Sequence, residues 1–86
     1  MKKQTFIICF ENIDGVAVNF ECWTFKRVDT CIKKTIDLYR LYPKIYADTL
    51  RQTKKITAYF TPDGYNRQAE VWTATIDEFK MLITNQ

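Results

Sequence analysis

Apolar residues alternate along the first part of the chain. Phe6, Ile8 and Phe10 are two apart, and so are Val16, Val18, Phe20 and Cys22. A period of two predicts two strands, each with one buried face. Between them lies Ile13-Asp14-Gly15. A two-residue Asp14-Gly15 turn sets Phe10 opposite Asn19 and Ile8 opposite Glu21, mixing apolar with polar. A three-residue loop with Gly15 in the left-handed conformation sets Phe10 opposite Val18, Ile8 opposite Phe20 and Phe6 opposite Cys22. The second register makes one face wholly apolar, which is the usual arbiter of register. It turns Thr5, Ile7, Cys9, Glu11, Ala17, Asn19, Glu21 and Trp23 to the other face.

From Lys26 the period changes to that of a helix. Val28, Cys31, Ile32, Thr35, Ile36, Leu38, Tyr39 and Tyr42 share one side at 3.6 residues per turn. Lys26, Arg27, Asp29, Thr30, Lys33, Lys34, Asp37 and Arg40 occupy the other. The helix is expected to end at Tyr42, because Pro43 disfavours helical geometry in the residue before it. Residues 43–53 have two readings. Ile45, Tyr46 and Leu50 suit one short helical piece, or the segment folds over the outer face of the sheet.

The second half repeats this grammar. Two runs, 55–60 and 68–74, flank the turn Pro62-Asp63-Gly64-Tyr65-Asn66. The best apolar face comes from pairing Ile56 with Val71 and Ala58 with Ala69. Thr75-Ile76-Asp77-Glu78 then fits a capping box, and Ile76, Phe79, Leu82 and Ile83 share a face of the short helix it starts. Residues 13–24 and 62–73 also align at one shift, with Asp14/Asp63, Gly15/Gly64, Glu21/Glu70, Trp23/Trp72 and Thr24/Thr73 identical.

The patterns predict an α+β fold in ββαββα order: a four-stranded antiparallel sheet with two helices on one face. They do not specify the strand order. At 86 residues the chain is one domain, 1–86, with a candidate pseudo-repeat of 5–42 and 54–85. A domain this small buries roughly 60–65% of its unfolded surface, enough for one modest core.

Composition narrows the function more than it defines it. The chain is 47% apolar and 15% aromatic with two glycines and two prolines, the mix of a folded globule. Its apolar run Phe6–Phe10 is stopped by Glu11, too short for a signal peptide or a span of about 20 residues. Three cysteines without CxxC spacing fit neither a disulfide framework nor a zinc site. The expected compartment is the cytoplasm. Histidine is absent, and with it the commonest general base and metal ligand. No phosphate-cradling glycine motif or nucleophile elbow occurs. Asp77 and Glu78 suit the first turn of a helix better than an acid/base pair. These features predict a non-catalytic chain with no metal and no cofactor.

Two surfaces are candidates for binding. In the expected registers Trp23 and Trp72 lie on the outer face of the sheet with Tyr59, an apolar area of the kind that marks an interaction site. The partner is then a protein or a second copy of the chain. The other surface is the basic side of the helix, with Lys33, Lys34 and Arg40 at its centre. Its five bases (Lys26, Arg27, Lys33, Lys34, Arg40) outweigh two acids (Asp29, Asp37), and the chain carries +3 overall. That stripe suits nucleic-acid phosphates, although Glu11, Glu21 and Glu70 on the expected outer face oppose base stacking there.

Overall fold

The loop that opens the fold is tied by a single asparagine. Asn12 Oδ1 accepts hydrogen bonds from the amides of Asp14 (2.9 Å) and Val16 (3.0 Å), and the Asn12 amide donates to the Val16 carbonyl at 2.9 Å. Ile13-Asp14-Gly15 is therefore the three-residue loop expected, and Gly15 has φ +78°. The computed structural model containing it describes residues 4–61 and 69–84. The order is β1 (Gln4–Glu11), β2 (Ala17–Phe25), α1 (Val28–Leu41), α2 (Ala47–Gln52), β3 (Lys55–Thr61), β4 (Ala69–Thr75) and α3 (Ile76–Thr84). The four strands form one antiparallel sheet in the order β2-β1-β3-β4. The fold is α+β, as expected, with the short α2 added between the two halves. The second turn, including Asp63 and Gly64, lies outside the described residues.

Past the first loop the register departs from expectation. Glu11 pairs with Ala17 as expected, but Phe10 then pairs with Asn19, Ile8 with Glu21 and Phe6 with Trp23. Val18 has no partner and forms a β-bulge, so every later residue of β2 faces the opposite way. The second hairpin has a bulge of the same kind: Ala58 pairs with Trp72 and Tyr59 with Glu70, leaving Val71 over. The expected pairings of Phe10 with Val18, Ile8 with Phe20, Phe6 with Cys22, Ile56 with Val71 and Ala58 with Ala69 are not formed.

The physical reason lies beneath the sheet. With the bulge, Val18, Trp23 and Phe25 all pack against the core. Trp23 Nε1 donates to Thr35 Oγ1 at 2.9 Å, and that hydroxyl donates to the Cys31 carbonyl at 2.9 Å. Two bulky rings and a satisfied indole go inward in exchange for Phe20 and Cys22, which go outward. Each large aromatic side chain removes far more area from water than a cysteine does.

The core is a single cluster between the sheet and the helices. Phe6, Ile8, Phe10, Ile56 and Ala58 supply its floor, and Cys31, Tyr39 and Phe79 its roof. Tyr39 stacks on Phe10 (centroids 4.5 Å apart) and on Tyr46 (4.0 Å), while Phe79 meets both Phe10 and Tyr39 edge-on. This group joins β1, α1, the start of α2 and α3. Tyr46 and Leu50 bring α2 to the same side of the sheet, so residues 43–53 do not cover the outer face.

Candidate functional site: the open face of the sheet

All three described helices pack on one side, and no described element covers the other face of the sheet. Paired residues share a face, so its rows follow from the registers. From β2 to β4 they run Cys22, Ile7, Tyr59, Glu70; then Phe20, Cys9, Thr57, Thr73; then Ala17, Glu11, Lys55, Thr75. The β2–β1 half is apolar and the β3–β4 half is rich in threonine. Phe20 is 60% exposed in mid-strand, and Cys22 beside it is exposed too.

The charges on this face are largely internal to it. Glu11 is buried, lies 3.7 Å from Lys55 Nζ, and accepts a 3.1 Å hydrogen bond from Tyr59 Oη. Tyr59 and Glu11 are two rows apart, so their side chains meet over Cys9 and Thr57. That accounts for Thr57, which is fully buried although it belongs to the bare face. Its hydroxyl has no partner among the described residues. Burial, and secondarily the carboxylate of Glu11, hold the Cys9 thiol above its ordinary pKa, the reverse of what a reactive cysteine needs. Burial likewise lifts Cys31, to about 11.

The residues picked from sequence are dispersed. Trp23 and Trp72 are both on the helix side, packed against the core; the expectation that they share the outer face is corrected by the two bulges. They also sit in different rows on the two edge strands, which are three strand spacings or about 14 Å apart. Tyr59 is on the outer face as expected. Lys33 and Lys34 are exposed on α1. Arg40 is engaged elsewhere: Nε and Nη2 donate to the carbonyls of Ile83 (2.9 Å) and Leu82 (3.0 Å), and Nη1 meets Asp37 at 3.4 Å. It closes the last turn of α3, where a cation offsets the helix dipole. The stripe loses more through Arg27, which is paired with Asp29 at 3.1 Å.

Phe20 and Cys22 are the outer-face residues that sequence reasoning missed, since both were assigned to the core. The β2 pattern holds no signal that separates the two outcomes, because Phe20/Cys22 and Trp23/Phe25 are alternative apolar faces of one strand. No family model, curated protein or solved structure matches the chain.

The bulge also carries a carboxylate inward. Glu21 is half-buried on the helix side, with Asn19 Nδ2 3.5 Å away. The same amide donates to Tyr39 Oη at 2.8 Å. No cation pairs with Glu21 among the described residues. Burial raises its pKa, and the Asn19 contact opposes the rise. Of the three acids expected to repel phosphate from the outer face, Glu21 is therefore not there and Glu11 is paired. Among the described residues no group of three or more potential ligands is placed to hold a metal ion. No described helix is long and apolar enough to cross a membrane.

Proposed function

We propose that the chain is a small non-catalytic interaction module that binds a protein partner, or its own copy, through the bare face of the sheet. The observation that carries this reading is Phe20, a large aromatic ring left 60% exposed in the middle of a strand, with Cys22 and Ile7 in the adjoining row. A fully solvated face gains nothing from that ring, whereas a partner that removes it from water gains its whole apolar area. The paired Glu11 and Lys55 lower the desolvation cost of such docking. The raised Cys9 thiol and a sequence without histidine support a non-catalytic role. Three free thiols support a reducing compartment, the cytoplasm.

The test compares the parent with Phe20→Asp. Sedimentation over a range of concentration reads self-association, and a maleimide crosslinker on Cys22 traps a heterologous partner from the source cells. Truncation of a central aromatic in an interface costs about 2 kcal/mol or more, so Phe20→Asp is expected to weaken association at least about thirty-fold while the fold persists. A parent that stays monomeric throughout, and crosslinks nothing that the variant does not, overturns the reading.

A further inference from the structure

β2 is an edge strand, and the phase of its free backbone groups can be worked out. The Asn12 amide donates to the Val16 carbonyl, so the even-numbered residues of β1 bond toward β2. The Lys54 amide donates to the Glu11 carbonyl at 2.7 Å, so the odd-numbered ones bond toward β3. Backbone groups alternate in this way along an antiparallel ladder. The even residues Phe10, Ile8 and Phe6 pair with Asn19, Glu21 and Trp23. Phe20, Cys22 and Thr24 therefore turn their N–H and C=O groups away from β1, to the side where the sheet has no further strand. All three residues are exposed, and among the described residues no cap, turn or side chain bonds to these groups. β2 also lacks proline and lysine, two common guards of a strand edge. Its one charge, Glu21, is on the helix side.

The open stretch matches itself. Its regular part, Asn19–Phe25, is centred on Cys22, with the Val18 bulge four residues before and Lys26, the first residue past the strand, four residues after. We propose that this edge pairs with the same edge of a second copy, antiparallel about a twofold axis at Cys22, joining two four-stranded sheets into one of eight strands. Phe20 then bonds with Thr24 of the second copy, Cys22 with its counterpart, and Thr24 with Phe20, about six hydrogen bonds in all. Neighbouring registers are worse. An axis at Glu21 sets two carboxylates directly opposite each other, which is destabilising. An axis at Trp23 sets Phe20 against Lys26, outside the strand. At Cys22 each Glu21 lies opposite a Trp23 and each Lys26 opposite a Val18. A foreign strand would need the same unbulged length and a neutral residue opposite Glu21; the chain carries such a strand itself. Residues 12–52, which form the loop, β2, α1 and α2 beside this edge, hold seven bases against five acids. That surplus is spread over several elements and is largely screened at physiological salt. The pairing brings the apolar halves of two bare faces side by side, but it uses the strand edge and does not depend on the sheet-face reading.

The test is amide hydrogen exchange on the full chain by NMR, from micromolar to millimolar concentration. Exchange at Phe20, Cys22 and Thr24 is expected to slow at least about ten-fold as copies pair, at every second residue of β2, because only these amides gain a partner. In a mixture of differently labelled copies, a contact between the Hα atoms of Glu21 and Trp23 across copies fixes the register. Cys22→Pro removes two hydrogen bonds at the axis and should weaken pairing at least about ten-fold; proline is tolerated on the open side of an edge strand, and a thermal melt checks the fold. Thr24→Pro is the second variant. Unchanged exchange at the three amides up to millimolar chain overturns the proposal. So does association that both folded proline variants leave intact. Association with the three amides still exchanging at their dilute rate also overturns it and assigns the contact to the bare face. Protection at the three amides that Phe20→Asp leaves in place supports edge pairing whatever the fate of the sheet-face reading.

Discussion

Trp23 shows how far one side chain decides this structure. Its indole N–H is satisfied by Thr35 Oγ1 at 2.9 Å and its ring lies against Phe25 with centroids 6.0 Å apart. Trp23→Ala is expected to cost about 3 kcal/mol of stability, in the range for large aromatic truncations. Trp23→Phe keeps much of the apolar area but loses the hydrogen bond, and should cost about 1 kcal/mol beyond its lost contacts. Urea denaturation of both variants checks this; two near-neutral results would place the ring in solvent and restore the unbulged register. Glu21 is the liability that comes with the same bulge. Its folded-state pKa is raised, chiefly by burial, so the folded protein holds the proton to higher pH than the unfolded chain does. Its contribution to stability is fully present below the unfolded pKa and is lost as pH rises through the folded one. The groups around it are Asn19, Tyr39 and Tyr46, and none is a cation. Glu21→Gln should therefore be more stable than the parent at pH 7, with the gap closing as pH falls through the window just above an ordinary glutamate pKa. A gap that does not move between pH 7 and pH 4 counts against an inward Glu21.

Helices were more legible than strands, for a physical reason. The polar and apolar sides of α1 are clear except at Leu41, which falls out of the pattern and is exposed, and Pro43 announces the helix's end. The capping box at α3 is formed as read: Glu78 N–H donates to Thr75 Oγ1 at 3.1 Å, and Thr75 N–H to Glu78 Oε1 at 2.8 Å. Thr75→Ala should cost about 0.5–2 kcal/mol, and Thr75→Ser little, as thermal melts of the two will show. A helix turned by one residue keeps most of its apolar side inward, but a strand slipped by one residue reverses every side chain. That is why the correct loop, Ile13-Asp14-Gly15, still led to the wrong face for Trp23. The inserted residue is Val18, which suits either arrangement, and the hydroxyl of Thr35 that satisfies the inward Trp23 indole belongs to a different element. The pairing of Trp23 with Trp72 across the two halves misled in the same way, since both rings are packed beneath the sheet, near its opposite edges. In the candidate site, Tyr59 was legible because no bulge precedes it in β3; Phe20 was not.

At the scale of the whole molecule, most of the charge lies away from the apolar half of the bare face. Lys33 and Lys34 stand on α1 and Asp77 and Glu78 on α3, while Glu70 is at the β4 end of the bare face. The bare face carries Phe20, Cys22, Ile7 and the self-paired Glu11 and Lys55. This layout makes salt the variable that separates the sheet-face module from nucleic-acid binding through the helix stripe. Docking through the bare face exchanges apolar area for water and changes few ionic contacts, so its dissociation constant should move little between about 50 mM and 500 mM salt, where exposed charges are progressively screened. Nucleic-acid binding behaves otherwise, because each phosphate neutralised releases counterions and the affinity falls steeply with salt. The stripe available for it is small: Arg40 is committed to α3 and Arg27 to Asp29. We therefore expect mixed single- and double-stranded oligonucleotides to bind weakly or not at all even at low salt, and association blocked by Phe20→Asp to survive at 500 mM. Oligonucleotide binding that is steep in salt, abolished by reversing Lys33 and Lys34 together and untouched by Phe20→Asp, would move the function from the sheet to the helix.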